Sequence, residues 1–246
     1  MDEQGVNRAQ VERLRKVMGT EPSDSQTCTT EFKRGVEGIT VKMIDWPVNP
    51  YKGMVTMATS TWGRKLDKWP DLTSEGRFMV TEAVLRREAL PLALEHPTFC
   101  FAIEGVSRSA FDQLARARVG VAFASMGWRD NSHTDIGFRV PEAIWDHELT
   151  FSNFKETCIR AKGVYQYMVA TGKQSWQDAR AVLPISALHN FSMTINYASL
   201  MNMLGNRLKF CEQADTVATA WLMRKAVDER FPLLAHYLRP SCDWVG

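Results

Sequence analysis

Residues 188–195, LHNFSMTI, followed at once by residues 197–212, YASLMNMLGNRLKFCE, decide the fold. The first run reads as a strand. The second keeps an apolar stripe at helical spacing, with Asn202 and Arg207 set into it. A strand feeding directly into a helix, with another helical stretch over 214–230, is the frame for the rest of the chain. Upstream, residues 98–104 alternate with Phe99, Phe101 and Ile103 on one face, a half-buried strand. Ser107 caps a helix running to about Arg118. Residues 39–45, ITVKMID, alternate as a strand that Pro47 and Asn49-Pro50 end. Met54 to Thr59 reads as a second short strand-like run. Residues 63–74 read as loop, and Thr73 or Ser74 caps a helix to about Leu90. Residues 119–140 show no clear period and read as a long irregular loop, a feature that is often functional.

Thr150 begins a long helix with Phe151, Phe154, Cys158, Tyr165 and Met168 inward, closed by Gly172. A short helix over Ser175 to Val182 stops before Pro184. Strands between helices without clean βαβ alternation make the chain α+β.

With 246 residues the chain fits one sizeable domain with a small extension. Residues 1–31 read as a polar arm and 32–246 as the domain. The formal net charge of +2 supplies no global field for nucleic acid or a membrane surface. No apolar run approaches the roughly 20 residues of a membrane span, and the N-terminus has no apolar core of a secretory signal. Five cysteines at wide spacings, without CxxC or a Cys/His cluster, point to reduced thiols, a cytoplasmic location and no zinc site. No P-loop, nucleophile elbow, HExxH or GxGxxG is present.

Two constellations carry chemistry. In Gln113-Leu-Ala-Arg116-Ala-Arg118, Gln113 and Arg116 share a helix face, and paired arginines where a helix meets a loop suit an anion such as a phosphate. The same residues fit a solvated helix end, where positive charge is favourable. Arg180, Asn196, Asn202 and Arg207 form the second group. A buried amide needs a partner, because leaving it unsatisfied costs roughly 1–3 kcal/mol, and that partner is either backbone or a ligand edge.

In order and spacing these pieces resemble the flavin-dependent thymidylate synthase family. Leu94-Glu95-His96 followed by FCFAIEGVSRSAFDQLARAR is similar to the family's LEH … F-x-F-x-I-x-G-V-S-R … Q-x-x-R-H-R. Arg180-Ala-Val-Leu-Pro184, then MTINYASLMNMLGNRLKFCEQAD, is similar to A-R-x-x-L-P … T-x-N-x-R-S-L-x-N-F-L-x-x-R-x-x-x-x-A-Q-x-E. VKMIDWPVNPYKGMVTMATSTWG looks like the family's strand–loop–helix opening. The resemblance implies an α+β fold with a mixed or antiparallel sheet and long helices, assembled as a homotetramer with active sites between subunits. It implies FAD as cofactor, methylenetetrahydrofolate as one-carbon donor, NADPH as reductant, and a pyrimidine deoxynucleotide, dUMP, as substrate. Direct nucleic-acid binding is not expected.

By the same matching, Gln113, Arg180 and Arg207 would hold the nucleotide. Arg116, Arg118, Asn196, Asn202 and His96 would hold the cofactor, with Arg207 and Arg118 nearest the chemistry. The signature R-H-R-x-x-S-x-N-E-x-S-x-R-Y departs most, reading here R-A-R-V-G-V-A-F-A-S-M-G-W-R-D from Arg116. Its central His is Ala117, its Asn and Glu positions are Phe123 and Ala124, and a one-residue slip offers either Ser125 or Arg129 to the phosphate. Ala198 replaces a flavin-side Arg. Such changes leave open a hydroxymethyl product, dCMP as substrate, repurposing in a virus (hence a host cytoplasm), or a non-catalytic relative.

Overall fold

The computed structural model describes residues 30–63, 72–125, 127, 133–171, 174–209 and 212–241. Residues 1–29 of the 1–31 arm, Gly172 and Arg129 lie outside them. Described in chain order, β1 (Phe32–Arg34) and β2 (Thr40–Asp45) precede α1 (Pro50–Ser60) and α2 (Ser74–Leu85), and a 3-10 turn at Pro91–Glu95 leads into β3 (Thr98–Ser107). Next come α3 (Arg108–Leu114), β4 (Val121–Ser125), β5 (Phe138–Val140), α4 (Glu142–Trp145), α5 (Glu148–Ala170) and α6 (Trp176–Ala179). A 3-10 turn at Arg180–Val182, β6 (Leu188–Asn196), α7 (Tyr197–Arg207), α8 (Ala214–Asp228) and α9 (Pro232–His236) complete the order. The chain from Glu31 on clusters as one compact unit.

A four-stranded sheet in the order β2-β3-β6-β4 is antiparallel throughout, and β1 pairs in parallel with β5. The expected alternation holds: Phe99, Phe101 and Ile103 on β3, and Phe191, Met193 and Ile195 on β6, are all buried. Helix α8 lies across β2 and β3, α7 follows β6, and α3 packs on β3 and β6. A smaller core of Ile136, Phe138, Cys158, Tyr165 and Leu183 joins α5 to the β1–β5 pair.

Several expectations are corrected. Met54 to Thr59 is helix, because Pro50 supplies a helical φ in its first turn and the Asn49 side chain accepts the Lys52 N–H at 3.0 Å. Helix α2 ends at Leu85 rather than Leu90, where Arg87 turns to φ +62°. Helix α3 ends at Leu114: the Ala117 N–H tightens onto the Leu114 carbonyl, leaving Arg116 and Arg118 beyond the helix. The stretch 119–140 contains two strands. Phe123 on β4 packs edge-on to Phe111 at 5.9 Å and lies 6.2 Å from Phe191, and such ring pairs contribute on the order of 1 kcal/mol. The Val121/Phe123 alternation was the missed signal. The long helix starts at Glu148, where the His147 ring nitrogen accepts the Thr150 N–H.

His133 and His189 are 4% and 0% exposed, and burial above all holds both near a pKa of about 4, with Arg180 and Arg108 respectively adding to the shift. An unfolded histidine titrates near 6.5. Between those values the unfolded chain binds protons that the folded chain refuses, so stability is full above pH 6.5 and falls as the pH drops toward 4. The expected loss is on the order of 2 kcal/mol per histidine between pH 7 and pH 5. Urea midpoints at the two pH values measure it. His189→Phe, set against Phe111 at 4.6 Å, should flatten the slope, and an unchanged slope would refute the assignment.

Candidate functional site

Two helix C-termini meet at one pocket. Helix α3 delivers Gln113 and Leu114, the turn after it delivers Arg116, Ala117, Arg118 and Val119, and α7 delivers Ser199, Asn202, Met203, Asn206 and Arg207. The cations stand where the C-terminal dipoles favour them. The pocket encloses about 250 Å³, less than the ~300–1,000 Å³ of a site that engulfs a small-molecule ligand.

The two segments are tied by Arg207. Its Nη2 donates to the Gln113 carbonyl at 2.8 Å, satisfying one of the last carbonyls of α3. Its Nη1 donates to both oxygens of Glu212 at 3.0 and 2.9 Å. The loop that brings Glu212 is fastened to the start of α3: Ser109 Oγ donates to Gln213 Oε1 at 2.9 Å, and Ser107 Oγ donates to Asp215 Oδ2 at 2.6 Å.

The wall at Val119–Gly120 is strapped to the start of α7. Ser199 Oγ donates to the Val119 carbonyl at 2.6 Å, the Asn196 N–H donates to the Gly120 carbonyl at 2.9 Å, and Asn196 Oδ1 accepts the Ser199 N–H at 2.9 Å. Gly120 has φ +63°, and a Cβ there would lie 2.2 Å from Asn196 Nδ2, so glycine is required on both counts.

Of the residues singled out in the sequence, the structure brings Gln113, Arg116, Arg118, Asn202 and Arg207 together. Asn196 stands behind the wall as the cap of α7. The other three described residues lie elsewhere. Arg180 sits on its 3-10 turn, close enough to His133 to shift it electrostatically. Ser125 ends β4 opposite Phe191, four residues from Val121 and so roughly 13 Å down the strand. His96 lies against Gly53 of α1. Sequence reasoning missed Glu212 and Arg87, whose Nη2 donates to Asn202 Oδ1 at 3.2 Å. Neither had a pattern to find it by: Arg87 is one charge in the run Arg86-Arg87-Glu88, and Glu212 matches no motif residue.

In its donors the pocket is one-sided. Three guanidiniums, three amides and a hydroxyl line it, no carboxylate stands in that lining among the described residues, and Glu212 is engaged by Arg207. Such a lining binds flat ligands edged with carbonyl oxygens and phosphates. Among the described residues no helix is long and apolar enough to cross a membrane.

The chain is similar to several known proteins. The flavin-dependent thymidylate synthase of Pyrococcus furiosus is 26% identical over 203 residues, covering 77% of this chain and 79% of the relative. That of Nitratidesulfovibrio vulgaris is 29% identical over 196 residues, covering 73% and 78%. The crystal structure of the UMP/dUMP methylase PolB from Streptomyces cacaoi, bound with 5-Br dUMP, superposes with a TM-score of 0.70 at 19% identity, covering 84% of this chain and 96% of that one. Residues 50–233 match the Thy1 profile, and the chain belongs to that family, the thymidylate synthase complementing proteins.

Proposed function

We propose that this chain transfers a one-carbon unit from methylenetetrahydrofolate to C5 of a pyrimidine deoxynucleoside monophosphate, dUMP first of all, with FAD as its flavin and NADPH as reductant. The observation that carries the reading is the pocket in which Arg207, Gln113, Arg116, Arg118 and Asn202 converge from two distant segments. The relatives' activity extends the same reading to a product methylated at C5.

The donor set fits both ligands. Arg207 faces the pyrimidine, where a fixed cation stabilises negative charge developing on a ring carbonyl as C5 becomes nucleophilic. Gln113 orients the ring through its amide. Arg116, Arg118 and Asn202 would hold the flavin, which supplies the carrier and hydride chemistry that no side chain here possesses. Asn196 holds the Val119–Gly120 wall so that this set is in place before binding.

A homotetramer with shared sites is part of the proposal. One chain's pocket is small, while Arg180, Ser125 and His96 lie away from it. A neighbouring subunit bringing its own Arg180 to the nucleotide phosphate would complete the set. Titration of the protein with FAD tests the reading, followed by addition of dUMP. A bound-flavin spectrum that shifts further when dUMP is added is expected; a protein that leaves both ligands free would refute it.

A further inference from the structure

Helix α2 closes with the Arg87 N–H on the Val84 carbonyl at 2.9 Å and the Glu88 N–H on the Ala83 carbonyl at 2.8 Å. This paired closure places one residue in the left-handed region, which is ordinarily glycine. Here it is Arg87, at φ +62°, and among the described residues no other non-glycine adopts that left-handed conformation. An arginine there strains the backbone where glycine would not. Strain of this kind persists where the side chain has a task.

The side chain shows the task. Neighbouring Arg86 turns to Glu82 at 3.2 Å and to the Tyr237 hydroxyl. Arg87 turns the other way, to the side-chain oxygen of Asn202, which lines the pocket. Its contact there is a neutral amide, and among the described residues no carboxylate pairs with it as Glu212 pairs with Arg207. The pocket thus carries Arg207 with Glu212 as its counter-ion and Arg116 and Arg118 in its lining, while the exposed Arg87 reaches it through Asn202, which lines it. A guanidinium beside an amide is a phosphate-binding combination.

We infer that Arg87 is an anion-binding residue of this pocket. With Arg116 and Arg118 it takes a phosphate group of the bound ligand, either the monophosphate of the nucleotide or the diphosphate of the flavin dinucleotide. The choice between those two sources rests on the proposed function; the anion site itself does not.

Arg87→Gly and Arg87→Lys in the full chain test it, with thermal melting beside binding. Arg87→Gly relieves the backbone, so its Tm is expected to equal that of the unaltered protein or exceed it by about 2–4 °C. It should weaken FAD or dUMP about tenfold or more, as loss of a charge-assisted contact does. Riboflavin and deoxyuridine, which lack phosphate, should bind unchanged. Whichever of FAD and dUMP loses affinity identifies the source, and inorganic pyrophosphate should compete less well against the glycine variant. Arg87→Lys should recover part of the affinity. Equal binding of FAD, dUMP and pyrophosphate by Arg87→Gly overturns the inference, as does a fall in its Tm, which would place the arginine in the service of the fold. Should the unaltered protein bind neither FAD nor dUMP yet lose pyrophosphate binding with Arg87, the proposed function fails and the anion site stands.

Discussion

Arg207→Ala should lower kcat/KM for the one-carbon transfer on the order of 10²–10³-fold, the usual consequence of removing a fixed donor from a developing oxyanion. Arg207 both lines the pocket and ties its two halves, through the Gln113 carbonyl and Glu212. The loss should therefore appear in kcat and in nucleotide affinity together. Arg207→Lys should not rescue it, since a single ammonium cannot reach the carbonyl, the carboxylate and a ligand at once. Stability separates catalysis from scaffolding. The single variant leaves Glu212 half-buried without its cation, whereas Arg207→Ala with Glu212→Ala removes both charges. The pair should regain Tm and not activity. If the double variant recovers turnover, Arg207 is scaffolding and its assigned role is wrong.

Arg139→Met is expected to cost about 3–5 kcal/mol, the range for breaking a buried charged network by removing one member. At this chain length that is roughly 10 °C in Tm. Arg139 on β5 is 3% exposed and donates to the carbonyls of Gly35 at 2.6 Å, Glu37 at 3.1 Å and Gly105 at 2.9 Å. Burial pulls its pKa below the ordinary arginine value, against the attraction of Asp215 and two glutamates. The methionine variant leaves those carbonyls without their donor and Asp215, 3% exposed, without the attraction of this guanidinium. Asp215 accepts from Ser107 at the start of α3, so the damage should also loosen the helix that presents Gln113. Thermal melting reads the first effect and nucleotide affinity the second. A variant that melts with the unaltered protein would show that these carbonyls find other donors.

Much of this architecture is legible in the sequence where period and cap agree. Phe99/Phe101/Ile103 with Ser107 specifies both the strand and the helix after it, because alternation and an N-cap hydroxyl are local signals. LHNFSMTI running into YASLMN does the same. Local signals fail at Met54–Thr59, where a β-branched, apolar run looks like strand until Asn49-Pro50 is weighed as a helix start. They fail again at Val121–Ser125, where small residues hide a strand made stable by β6 and by the rings of Phe111 and Phe191. In the site, Gln113, Arg116, Arg118, Asn202 and Arg207 are readable because their motif spacing survives. Glu212 and Arg87 are not, since their importance comes from side-chain contact: one meets Arg207, the other reaches Asn202 from a strained turn.

The proposed reaction makes a new bond at C5 of the pyrimidine. The protein incubated with FAD, NADPH, methylenetetrahydrofolate and dUMP tritiated at C5 tests it most directly, by release of the label together with the mass of the nucleotide product. Release of tritium to water with formation of 5-methyl-dUMP, both slowed on the order of 10²–10³-fold in Arg207→Ala, is the predicted result. Recovery of dUMP with its label and mass intact, under conditions in which the protein binds both flavin and nucleotide, would contradict it.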